Sequence, residues 1–150
     1  MTSSGHIRNL AGPTARRCGP QAWPELPALA KLFYTSLEEL GQFEQVAPGD
    51  LPSTAQRLLW HDDLMTVTLE AYHSCPLDVQ VLDSILTPTH YARCVLLTCR
   101  PQGRILQFGI VRLQLASLSE EVRKEVQAGT TPVGRALVKY DVLREVRLLS

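Results

Sequence analysis

The sequence lacks an excess of charge of either sign: 15 lysines and arginines balance 15 aspartates and glutamates across 150 residues. That balance gives no general reason to expect nucleic acid or an anionic membrane as partner, since both select for basic patches. No apolar run approaches the roughly 20 residues of a bilayer span, and no apolar signal-peptide core follows Met1. A soluble, cytoplasmic protein is therefore expected. The chain also lacks any C-x-x-C pair. Its four cysteines are Cys18, Cys75, Cys94 and Cys99, and Cys94 and Cys99 fall on opposite faces of a presumed strand. No metal site is expected from them, only free and mostly buried thiols in a reducing compartment. His61 beside Asp62 and Asp63 has no matching ligand cluster elsewhere and reads as a solvated helix start.

What is present suits one domain with a real core, since 45% of the chain is hydrophobic and its length is too short for two substantial cores. Residues 1–21 contain no acid and no clean periodicity, so they read as a mobile tail ahead of a domain over 22–150. From Pro24, Leu26, Leu29, Ala30, Phe33, Leu37 and Leu40 recur at three and four, which predicts one amphipathic helix ended by Gly41. A Pro-Gly-Asp break at 48–50 precedes a second helix through Leu58, Leu59 and Trp60, capped by Ser53 or Thr54. Leu64, Thr68 and Tyr72, with Met65 and Leu69, predict a short helix opened by Asp62 or Asp63.

After Pro76 the period changes to two. Leu77, Val79 and Val81 alternate with Asp78, Gln80 and Leu82, a half-buried strand. The run Y-A-R-C-V-L-L-T-C from Tyr91 to Cys99 follows, apolar on both faces, and Pro101-Gln102-Gly103 turns it into a second strand over 104–115. Gly109 inside that second strand marks one wall of a pocket. Ser117 with Glu120 reads as a capping box for a helix through Val122 and Val126, closed by Gly129. Thr131 as N-cap and Pro132 in the first turn open another helix, and V-L-R-E-V-R-L-L at 142–149 reads as a closing strand. The tally is an α+β domain with a single antiparallel sheet of three or four strands and helices before, between and after them.

The one charge inside the first of the two hairpin strands is Arg93. A guanidinium cannot be neutralised, and burying it alone costs several kcal/mol, so it needs a carboxylate from the protein or from a bidentate ligand. A second anion site is offered by the backbone amides of Val133 and Gly134 at a helix start, where glycine leaves a ligand room to approach; ordinary capping by Thr131 is the alternative.

In order, L-L-W-H-D-D-L-M-T-V-T-L-E, Y-A-R-C-V-L-L, G-R-I-L-Q-F-G-I-V-R-L and T-T-P-V-G-R-A-L-V resemble the chorismate pyruvate-lyase family of 4-hydroxybenzoate synthesis, from about residue 57 to the end. The resemblance implies a single antiparallel sheet with helical flaps over a closed pocket. It implies elimination of pyruvate from chorismate without metal or organic cofactor, and a small-molecule aromatic or cyclohexadienyl carboxylate as the bound partner. Arg93 matches the family's ring-carboxylate clamp, Val133 its amide donor to the same carboxylate, and the backbone at Met65 lies near the ring hydroxyl. The family's glutamate on a strand beyond the T-P-x-G-R helix contacts the substrate hydroxyl. The chain ends at Ser150 before that strand, which leaves Glu70 and Glu145 as nearby acids, the role being supplied by one of them, dispensed with or lost. Glu70 matches the glutamate that follows the M-T pair rather than the missing one. The same fold also serves as an aromatic-acid (effector) binding module and could host a cyclase-type natural-product enzyme.

Overall fold

The computed structural model describes residues 25–143. The N-terminal tail expected over 1–21 lies outside them, as do residues 144–149 of the closing strand expected over 142–149, while Val142 and Leu143 are not in a strand. Among the described residues no helix is long and apolar enough to cross a membrane.

Helix α1 (Glu25–Ala30) is shorter than its apolar period suggests. The amide of Tyr34 still closes a last turn onto the Ala30 carbonyl at 3.0 Å. The Glu39 carboxylate then accepts from the amides of Thr35 (2.8 Å) and Ser36 (3.0 Å) and starts a separate 3-10 turn, Leu37–Glu39. A capping interaction inside the apolar period thus restarts the chain and breaks the single helix expected through Leu40. Gly41, with φ +136°, ends that short turn instead.

A 3-10 turn at Pro48–Asp50 leads to α2 (Ser53–Leu59), with Pro52 rather than Ser53 or Thr54 at the N-cap position, and then to α3 (Met65–His73). Leu64, not an aspartate, occupies the N-cap position of α3, and Ser74 closes it in the left-handed region at φ 50°. Three strands follow, β1 (Leu77–Leu86), β2 (His90–Cys99) and β3 (Arg104–Gln114). They form one antiparallel sheet in the order β1-β2-β3. The molecule is therefore a small α+β fold built on a three-stranded antiparallel sheet.

After a 3-10 turn at Leu115–Ser117 comes α4 (Glu120–Gln127). Its N-cap is Ser119, whose hydroxyl accepts from the Val122 amide at 3.4 Å, and not Ser117, whose hydroxyl donates to the Gln114 carbonyl at 2.8 Å. Gly129 at φ +74° turns the chain into α5 (Val133–Lys139). Thr131 does not cap α5; its hydroxyl donates to Glu125 Oε1 at 2.7 Å.

Side chains alternate across the sheet, so register decides what shares a face. Arg93 lies opposite Val111 and Val95 opposite Gly109, while Cys94 and Leu96 lie opposite Ile110 and Phe108 on the other face. On the Arg93 face two apolar clusters form. Tyr91 and Leu115 pack with Val122, Val126 and Ala136 from α4 and α5. Leu77 and Leu97 pack with Leu69 of α3, flanked by Leu58, Met65 and Leu106. Each fully buried Leu or Val of this kind contributes about 1.5–3 kcal/mol. Both faces of β2 are covered, since Tyr91 through Val95 are all buried.

The same register corrects the cysteine reading. Leu77 pairs with Cys99, which brings Cys75, two residues earlier, to a Cα separation of 5.8 Å, and the two cysteines are joined in a disulfide. That separation is ordinary for such a bond. Cys94 is a buried free thiol, and Cys18 lies outside the described residues.

Candidate functional site

Arg93 stands in the middle of β2 with 1% of its surface exposed. Its Nη1 donates to the Val126 carbonyl at 3.1 Å and its Nη2 to the Thr131 carbonyl at 2.9 Å. Nε has no partner among the described residues. Val126 belongs to the last turn of α4, and its carbonyl also accepts from the Gly129 amide at 3.2 Å; the guanidinium acts as a cation at the negative end of the helix dipole. Burial pushes its pKa below the ordinary arginine value, with the Tyr91 hydroxyl acting in the opposite sense. It stays charged at neutral pH. Among the described residues, no carboxylate forms an ion pair with it: the ion pairs present are Arg135–Glu70, Arg100–Asp78, Lys139–Glu125 and Lys124–Glu120.

The loop that presents the Thr131 carbonyl is held by a residue that the sequence did not single out. Glu125 Oε1 accepts from the Thr131 hydroxyl, while Oε2 accepts from Lys139 Nζ at 2.9 Å and Tyr140 Oη at 3.4 Å. One carboxylate on α4 therefore fixes both the α4–α5 loop and the end of α5. The Thr131 hydrogen bond, followed by that from Lys139, holds the Glu125 pKa below the usual carboxylate value. No local spacing rule links residues 125, 131, 139 and 140, which is why the cluster escaped the sequence reading.

Met65 opens α3 and packs on the Leu69–Leu77–Leu97 cluster. Val133 opens α5 and packs on the Tyr91 cluster. Gly134 abuts α3: a Cβ there would lie 2.9 Å from Thr66 Oγ1, 3.3 Å from Thr66 Cβ and 3.5 Å from Leu64 Cβ. Its missing side chain thus makes room for a neighbouring helix, where the sequence reading gave that room to a ligand. Glu70 accepts from the Leu77 amide at 2.9 Å and from Arg135 Nη2, while Arg135 Nη1 donates to the Leu77 carbonyl at 3.3 Å. Glu70 and Arg135 thereby lock α3, α5 and the start of β1 together.

Gly109 does line a hollow, of about 330 Å3, together with Leu26, Leu29, Ala30, Leu40, Phe43, Phe108 and Ile110. Phe108 and Ile110 project from the sheet face opposite Arg93, so this apolar hollow and the guanidinium are on different sides of the sheet. A Cβ at Gly109 would meet only Val95 Cγ2, at an ordinary 3.8 Å. The structure thus puts Arg93 of β2, Met65 and Glu70 of α3, and Val133 and Gly134 of α5 on one side of the sheet, and leaves the hollow on the other. The chain matches no protein-family model and no curated protein at a significant level.

Proposed function

We propose that this chain is a chorismate lyase-like enzyme that eliminates pyruvate from chorismate to leave 4-hydroxybenzoate or a related aromatic acid. One observation carries the reading: a guanidinium that is 1% exposed on the central strand has no carboxylate partner among the described residues. Two main-chain carbonyls supply partial charges to it, while the full positive charge is left for an anion to neutralise. A planar fork in that setting suits the carboxylate of a small acid, with the Val133 amide at the start of α5 as the second donor. Loss of the enolpyruvyl group restores ring aromaticity, so the protein mainly orients the substrate, excludes water and steadies shifting charge.

Glu70 is the candidate for proton transfer within the described residues. Its commitment to Arg135 and the Leu77 amide favours a second reading, in which the domain binds an aromatic acid without turnover. Incubation with chorismate separates the two: the lyase releases pyruvate and 4-hydroxybenzoate in equal amounts, while a binding module takes up 4-hydroxybenzoate and releases nothing. Arg93→Met removes the charge-assisted hydrogen bonds and should weaken 4-hydroxybenzoate binding at least about tenfold, following the roughly 1.5–3 kcal/mol of such bonds. Arg93→Lys, which keeps charge and loses the fork, should fall between. Calorimetric titration of folded variants checks this, and unchanged affinity in Arg93→Met refutes the site.

A further inference from the structure

We propose that Cys75 and Cys99 form a reversible dithiol–disulfide couple, a redox site that sets the stability of the α3 end of the domain independently of any ligand at Arg93. The bond joins the turn between α3 and β1 to the last residue of β2 and closes a span of 24 residues. Its two residues differ in exposure: Cys75 is half-buried in a turn, where it flanks the Leu69–Leu77–Leu97 cluster, whereas Cys99 is 6% exposed. The reduced state also has a place in the fold. Cys99 Sγ lies 3.7 Å from Gln102 Oε1 and 3.8 Å from the Arg100 carbonyl, so a thiol formed there meets acceptors already in position. The surrounding main chain does not depend on the bond alone, since the Arg100 amide donates to the Pro76 carbonyl at 2.9 Å and the Leu77 amide to Glu70. Cys94 cannot enter the exchange in the folded protein, because it is buried on the opposite face of β2.

The chemistry is a thiol–disulfide exchange with an external dithiol. A thiolate of the dithiol attacks the sulfur of Cys75, the less buried of the two residues, the S–S bond breaks, and its electron pair leaves on Cys99 Sγ, which takes a proton. The second thiolate of the same reductant displaces Cys75 from the mixed disulfide, so the dithiol departs as a disulfide and the protein keeps two thiols. Without the crosslink the unfolded chain regains the freedom of the closed span, and the native state loses stability accordingly.

The full chain is equilibrated at graded ratios of reduced to oxidised dithiothreitol, alkylated while folded, and mapped by peptide mass spectrometry alongside thermal melts. Cys75 and Cys99 are expected to gain label together as the ratio rises, with Cys94 protected, and Tm is expected to drop by roughly 10 °C on reduction. Cys75→Ser should show the lower Tm in both conditions. Labelling of Cys75 and Cys99 in excess oxidised dithiothreitol would overturn the proposal, as would a bond that reduces only after denaturation or a Tm indifferent to reduction. If Cys75→Ser does not fold, the titration of the unaltered chain decides alone.

Discussion

Replacing Gly134 by alanine should force the start of α5 away from the start of α3. The added Cβ would stand 2.9 Å from Thr66 Oγ1, a distance that real Cβ atoms do not sustain, and 3.3 Å from Thr66 Cβ. Thr66 has little freedom to yield, being 6% exposed in the first turn of α3. Overpacking of this kind costs about 1–3 kcal/mol. Against it stands the preference of a helix for alanine over glycine, worth up to about 1 kcal/mol. The net expectation is a loss of about 1–2 kcal/mol. At roughly 4 °C per kcal/mol for a domain of this size, Tm should fall by about 4–8 °C.

Urea and thermal denaturation of Gly134→Ala, Thr66→Ala and the double variant test the cause as well as the size. Thr66→Ala removes the atom of closest approach, so Gly134→Ala should cost markedly less on that background, with a coupling of about 1 kcal/mol. If Gly134→Ala is as stable as the parent, or costs as much with Thr66→Ala as without it, the contact does not explain the glycine. The outcome also separates two roles, because a glycine kept bare for a ligand would lose affinity on substitution without losing stability.

Two further perturbations probe the elements around Arg93. Glu125 has a folded pKa depressed first by the Thr131 hydrogen bond and then by Lys139, so it contributes stability above its unfolded pKa that is lost as pH falls through the lower folded one. Urea midpoints measured from about pH 5 down to about pH 3 should therefore fall, and Glu125→Gln should flatten that dependence; a parallel decline in both proteins argues against the assignment. Ser119→Ala should cost up to about 1 kcal/mol by removing the α4 cap, whereas Ser117→Ala, whose hydroxyl only supports the Gln114 carbonyl, should cost less; the reverse order in denaturation curves would restore the capping box starting at Ser117.

The parts of the fold legible in the sequence are those set by short-range pattern. Alternation from Tyr91 to Cys99 and the Pro-Gln-Gly turn placed the β2–β3 hairpin, and the charge amid apolar neighbours marked Arg93 as a buried arginine. The misreadings have two physical sources. Local competition moved boundaries: the Glu39 carboxylate caught the amides of Thr35 and Ser36 and broke the first helix, and Ser119 displaced Ser117 as the cap of α4. Long-range geometry decided the rest, because the Cys75–Cys99 bond follows from the Leu77–Cys99 register, and the need for glycine at 134 follows from a threonine on another helix. Neither partner is visible until strands and helices are docked.

The arginines show why the candidate site rests on Arg93 and not on the more accessible Arg135 of the T-P-V-G-R segment. Arg135 has 41% of its side chain exposed and already faces the Glu70 carboxylate, so its charge is neutralised by the protein and screened by solvent. Arg93 reaches across 33 and 38 residues of sequence to two carbonyl oxygens, which orient its fork without supplying an opposing unit charge. An anion arriving at Arg135 must compete with Glu70. Among the described residues Arg93 meets only carbonyl dipoles, in surroundings where water is largely excluded and a charge-assisted hydrogen bond would be correspondingly stronger. Of the two arginines, the one on the central strand is therefore the one whose charge no carboxylate among the described residues opposes.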